Sequence, residues 1–121
     1  MNLIEANLSH AEVIADMHRD AYKEKFNKEQ LNYIDLYLEE TIKDINTKKV
    51  FITDNFTALI VCEDRTDPLL LNSTYHLVTR IYVKPEYRGQ GIAKKLVKHC
   101  QDTLGPLMGW DGKFYNIGEI Q

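Results

Sequence analysis

Apolar positions in the first fifth of the chain recur at three- and four-residue spacing. Val13, Ile14, Met17, Ala21 and Tyr22 share one face while Glu12, Asp16, Arg19 and Lys23 point elsewhere, the pattern of an amphipathic helix packed on a core. Ser9 followed by Glu12 makes a capping box and predicts the start of that helix, with a short strand before it over residues 2 to 7. A second helix is predicted from an Asn27 cap to about residue 45, along Leu31, Ile34, Leu38, Ile42 and Ile45. The period then changes. Val50 to Thr53 are β-formers, Asp54-Asn55 suits a tight turn, and Phe56 to Cys62 is almost continuously apolar, which together predict a hairpin. Glu63 to Ser73, charged apart from the Leu69 to Leu71 cluster, reads as a loop. A strand follows from about Thr74 to Lys84, ended by Pro85, which has no N–H to give to a ladder. From Gln90 a third helical stripe, Ile92, Leu96, Val97, Cys100 and Leu104, runs to Gly105-Pro106. Beyond it Asp111-Gly112 predicts a turn between two short strands, 107–110 and 113–120.

Composition narrows the possibilities. With 121 residues, 44% of them hydrophobic, the chain fits one domain over residues 1–121 that buries enough apolar surface to fold unaided. A net charge of -3 and a pI near 5.8 argue against a general nucleic-acid binder, which concentrates excess Lys and Arg on one face. No run of about 18 apolar residues and no basic leader appears, so the expectation is a cytoplasmic protein with no membrane partner. Cys62 and Cys100 lie far apart within apolar periodic stretches and read as reduced core thiols. The four His residues share no metal-ligand spacing, and no metal site is expected.

The chemistry concentrates in "VKPEYRGQGIAKKLV", residues 83 to 97. The strand ends there at Pro85, and the chain passes through Arg88-Gly89-Gln90-Gly91 into a helix. The first N–H groups of a helix lack internal partners and sit at the positive end of its dipole, so they attract an anion. Gly89 and Gly91 permit positive φ and remove Cβ atoms that would hold an oxygen-rich group off the backbone, and Arg88 can add a charged contact. A phosphate or pyrophosphate is the ligand this turn suits. A Walker A loop would need Gly-Lys-Ser/Thr where Gly91-Ile92-Ala93 stands, and a dinucleotide fingerprint would need a third Gly.

The same stretch resembles the acetyl-CoA-binding motif of the GCN5-related N-acetyltransferases (GNAT), Val-x-Pro-x-x-Arg-Gly-x-Gly-Ile/Leu-Gly/Ala. Residues 88 to 93, Arg-Gly-Gln-Gly-Ile-Ala, match its Arg/Gln-x-x-Gly-x-Gly/Ala core. The element order β-α-α-β-β-β-α followed by a short C-terminal strand region also fits that family over roughly residues 2 to 104. The resemblance implies an α/β (α+β) fold with a mixed, mostly antiparallel sheet flanked by helices. It implies an N-acetyltransferase that moves an acetyl group directly from acetyl-CoA to an amine of a small molecule or protein. Carried over by position, the amides of Arg88, Gly89, Gln90, Gly91, Ile92 and Ala93 would hold the coenzyme A pyrophosphate. The backbone of Ile81, Tyr82 and Val83 would pair with the pantetheine arm.

Acyl transfer needs a neutral amine, help for the carbonyl oxygen and a proton for the departing thiolate. The family's carboxylate base falls here on Leu77, which has no proton chemistry. His76 is adjacent but needs a bulge to face inward, and Glu63 and Asp64 lie at the end of the neighbouring strand. A backbone N–H near Ile81 suits the oxyanion. For the thiolate, Phe114-Tyr115-Asn116-Ile117-Gly118 resembles the family's C-terminal segment, one residue short, and makes Tyr115 the candidate acid. Tyr33, Tyr37 and Trp110 are candidates for an acceptor pocket. The short C-terminal region leaves a sheet edge that invites a second copy of the chain as partner. It also motivates an alternative reading, a relative that binds coenzyme A without turnover and acts through protein contacts.

Overall fold

A computed structural model describes residues 2–26, 34–66, 74–109 and 111–116. The Asn27 cap, Leu31, Tyr33, the Leu69 to Leu71 cluster, Trp110 and residues 117–120 of the last predicted strand lie outside them. Strands β1 (Leu3–Glu5), β2 (Lys49–Thr53), β3 (Ala58–Thr66), β4 (Thr74–Val83) and β5 (Leu107–Met108) form one sheet in sequential order. Helices α1 (Ala11–Phe26) and α2 (Ile34–Thr47) follow β1, and α3 (Ile92–Leu104) links β4 to β5. The first four strands are antiparallel neighbours, and β5 runs parallel to β4 as the helical crossover requires.

The continuous apolar run of β3 follows from burial on both faces. Leu59 and Val61 pack with Val50, Ile52, Tyr82 and the Ile14–Met17 stripe of α1. Ala58, Ile60 and Cys62 face the other way, onto Phe51, Val78 and the Ile92, Leu96, Val97, Cys100 stripe of α3. The sheet is therefore a layer between α1 and α2 on one side and α3 on the other.

Four local expectations are corrected. Asn7, not Ser9, makes the cap: its side chain accepts from the Ser9 amide at 2.9 Å, and a 3-10 turn over Leu8–His10 leads into α1. Strand β3 begins at Ala58 rather than Phe56, because Phe56 takes φ +56° in the hairpin turn and Thr53 Oγ1 accepts from the Thr57 and Ala58 amides. Glu63 to Thr66 continue β3 instead of looping, since Tyr75 to Leu77 of β4 offer them partners. On α2 the inward face is Thr41, Asp44 and Ile45, with Ile42 exposed. Thr41 meets buried His18 of α1 at 3.3 Å, and Asp44 pairs with Lys48 at 3.1 Å. Thr41 and Asp44 thus join Ile45 on the inward face, each beside a polar partner, while Ile42 of the predicted stripe turns outward. No described helix is long and apolar enough to cross a membrane.

Candidate active site

Strand β5 pairs with β4 only at His76 and Leu77, so among the described residues the rest of β4 keeps an open edge. Lys84 donates to the Thr57 carbonyl at 2.8 Å, which fixes the alternation of the ladder: Tyr82 turns its backbone groups toward Leu59 of β3, while Ile81 and Val83 turn theirs to the open edge. Of the three residues expected to present backbone to a pantetheine arm, Tyr82 is thus committed to the sheet. The Val83 carbonyl is also taken, accepting from Arg88 Nε at 2.9 Å. Ile81 N–H and C=O and Val83 N–H remain.

The open edge leads to a 3-10 turn at Pro85–Tyr87 and then to the glycine loop. Gly89 and Gly91 have φ of +80° and +78°, and a Cβ at either would meet nothing within 4 Å. Glycine is needed there for the left-handed backbone, and the space beyond it is free. Gly91 is the N-cap of α3 and contributes no side chain to the orphan amides of the first turn. Among the described residues the amides of Gly89, Gln90 and Gly91 also find no acceptor. A row of unsatisfied donors at a helix N-terminus is a receptor for an oxygen-rich anion.

Edge and loop bound a cleft of about 710 Å³. Ile81, Tyr82, Val83, Arg88, Gly89, Gly91, Ile92 and Ala93 line it, whereas Gln90 is exposed outside its lining. Arg88 does not hold its guanidinium out for an anion. Its Nη atoms form a bidentate pair with Glu24 of α1 at 2.5 and 2.7 Å, above the Tyr82 ring at 5.6 Å. Hydrogen bonding to Arg88 holds the Glu24 carboxyl below its usual range. The charged contact expected of Arg88 is therefore spent on tying α1 to the glycine loop.

The candidate catalytic groups separate. Tyr115 lines the cleft, anchored by its own backbone: its amide donates to the Leu107 carbonyl at 2.8 Å, and its carbonyl accepts from Gln101 Nε2 at 3.2 Å. Burial, then Asp111, push its phenol above the usual value, so it keeps its proton. His76 is not among the lining residues. The bulge it needed is present, because Val61 pairs with Arg80 and Cys62 with Val78, leaving Thr79 extra. His76 thereby shares the face of Val78, but at the place where its amide meets the Pro106 carbonyl beside β5. Glu63 also lies outside the lining, within ion-pair reach of Lys48 (3.8 Å) and Arg65 (3.4 Å). Asp64 is exposed beside it on β3. Cys100 is buried, and its hydrogen bond to Cys62 together with burial push the thiol up, which makes it an inert core residue.

The cleft residues that escaped the sequence reading include Tyr22 and Glu24 of α1 and Arg80 of β4. Tyr37, an expected pocket residue, stands edge-on to Tyr22 at 6.1 Å. Strand alternation back from Tyr82 would have flagged Arg80 as a charged residue on an otherwise apolar face. Nothing local marks Glu24, whose partner is 64 residues away.

A family model described as acetyltransferase (GNAT) domain matches residues 45–116. No curated protein matches the chain by sequence. Among solved structures, a possible acetyltransferase from Clostridium difficile 630 is 21% identical with a TM-score of 0.72, over 89% of this chain and 75% of that one. Ribosomal-protein-alanine N-acetyltransferase from Brucella melitensis biovar Abortus 2308 is 22% identical with a TM-score of 0.65, over 85% and 71%. A predicted acetyltransferase from Clostridium acetobutylicum, solved with acetyl-CoA, is 15% identical with a TM-score of 0.68, over 93% and 81%.

Proposed function

The chain belongs to the GNAT acetyltransferase domain family, and from that premise we propose that it is an N-acetyltransferase moving an acetyl group from acetyl-CoA to an amine. The observation that carries this reading is the open edge of β4 running into the uncapped amides of Gly89 to Ala93. A strand edge suits the amide-bearing pantetheine arm, and the loop suits the pyrophosphate. The structure of the Clostridium acetobutylicum protein with acetyl-CoA supports the same donor here. The Brucella enzyme's name supports an amine as acceptor.

Bound acetyl-CoA supplies the activated thioester. Ile81 N–H, fixed on the strand and turned to the open edge, is the donor for the developing oxyanion. Tyr115 Oη, kept protonated by burial, is the donor for the departing sulfur. Leu77 stands where the family's carboxylate base falls, and Glu24, the one carboxylate among the described cleft residues, is held by Arg88. The acceptor ammonium therefore gives its proton to solvent before attack.

The test is thiol release from acetyl-CoA with a panel of amines, beside calorimetric titration of coenzyme A. Release above the acceptor-free background is expected. Binding without release across the panel supports the reading as a coenzyme A-binding relative without turnover, which the Leu77 position favours. Absence of both would overturn the proposal. Tyr115→Phe is expected to lower kcat by about 10²-fold, the lower end for a lost general acid, with the coenzyme A Kd unchanged. Equal kcat values at saturating acetyl-CoA would remove Tyr115 from the chemistry.

A further inference from the structure

Resting on that reading of the cleft, we infer that Arg80 makes this an acetyltransferase for acceptors that carry a carboxylate close to the reacting amine, of the amino-acid type. Arg80 lies on β4 opposite Val61, directly before the open edge, and lines the cleft. Alternation from buried Tyr82 puts it on the α1/α2 face. There its charge acts on His18 of α1 and Tyr37 of α2. It is half-buried and has no ion pair or hydrogen bond among the described residues. A half-buried guanidinium with no partner among the described residues offers its fork to a carboxylate, which it binds bidentately.

The charge of the cleft points the same way. Its charged lining among the described residues is Glu24 with Lys25, Arg80 and Arg88, and Glu24 already belongs to Arg88. A polyamine or another polycation entering beside Arg80 would meet like charge and, among the described lining residues, no carboxylate but the one paired with Arg88. Coenzyme A does not account for Arg80 either. The amides that suit its pyrophosphate begin nine positions further on, past Val83, whose Cα alone is about 10 Å along the strand at ~3.3 Å per residue. The Tyr22 ring, which lines the cleft with Arg80 and is backed edge-on by Tyr37 outside the lining, offers an aromatic wall for the rest of an amino-acid-sized acceptor. The same positive field that opposes a proton on His18 favours the neutral, attacking form of an amine held next to it.

The test uses product analogues, because they have no amine whose own pKa differs between acid and amide. Wild-type protein saturated with coenzyme A is titrated calorimetrically with N-acetylglycine, N-acetylleucine and N-acetylphenylalanine, and with the carboxamide of each. At least one acid is expected to bind tenfold or more tightly than its amide, and Arg80→Gln should bring that ratio to within twofold. The Arg80→Gln protein should keep its coenzyme A affinity. Equal binding of acid and amide, no binding of any acid, or a ratio unchanged in Arg80→Gln would each overturn the inference. A fall in coenzyme A affinity with Arg80→Gln would overturn it too, assigning the residue to the donor instead. Failure of wild-type protein to bind coenzyme A at all would instead sink the acetyltransferase reading on which the inference stands.

Discussion

Gly91→Glu is expected to abolish coenzyme A binding while leaving the protein folded. Gly91 holds φ +78° at the N-cap of α3, and its Cβ direction is open. Any L-residue there accepts about 1–2 kcal/mol of left-handed strain, which lowers the melting temperature by several degrees without unfolding a domain of ordinary stability. The glutamate carboxylate would then compete with the ligand for the free amides and repel its phosphates. Two unit charges 4 Å apart near a protein surface repel by about 4 kcal/mol, or roughly 10³-fold in Kd. Gly91→Ala carries the strain without the charge and should keep most of the affinity. Calorimetry on the three proteins separates the effects. If Gly91→Glu bound coenzyme A as the wild type does, the anion seat would lie elsewhere.

Acidification is expected to destabilise the fold through His18. This residue is 5% exposed between α1 and α2, with Nδ1 at 3.3 Å from Thr41 Oγ1 and no partner for Nε2 among the described residues. Burial first, and then the charges of Arg80 and Lys48, push its pKa from 6.5 down to about 4. The unfolded chain therefore binds the proton more readily than the native protein. Stability is complete above pH 6.5 and is lost progressively as pH falls through about 4, by an amount near 3 kcal/mol. For a domain of this size that corresponds to roughly 10 °C in Tm. Thermal melts at half-unit steps from pH 7 to 4 should show a steeper fall for wild type than for His18→Gln. Parallel curves would assign the acid sensitivity to other groups.

The two predictions draw on different levels of information. Gly89 and Gly91 were legible because the need is local: a chain passing from strand to helix around an anion requires left-handed backbone and exposed amides within a few residues. The buried stripes of α1 and α3 were legible for the same reason, since a helical period repeats within one element. His18 was not, because a histidine on an apolar face looks alike whether it is paired, charged or stranded until Thr41, Arg80 and Lys48 arrive from other elements.

By itself the sequence determined the type and order of most elements, the continuous apolar run of β3 and the phosphate-seeking turn after β4. Tertiary structure alone decided the rest. It set the extra residue at Thr79, which moves His76 to the other face, because a bulge depends on what the partner strand offers. It set β5 against only His76 and Leu77, which among the described residues leaves the edge beyond open. It closed Arg88 onto Glu24, a pair whose members are neighbours only once α1 lies across the sheet, and it left Arg80 without such a partner among the described residues. Periodic burial is a property of one segment and survives in its spelling, whereas register, long-range ion pairs and the shape of a cleft exist only between segments after they pack.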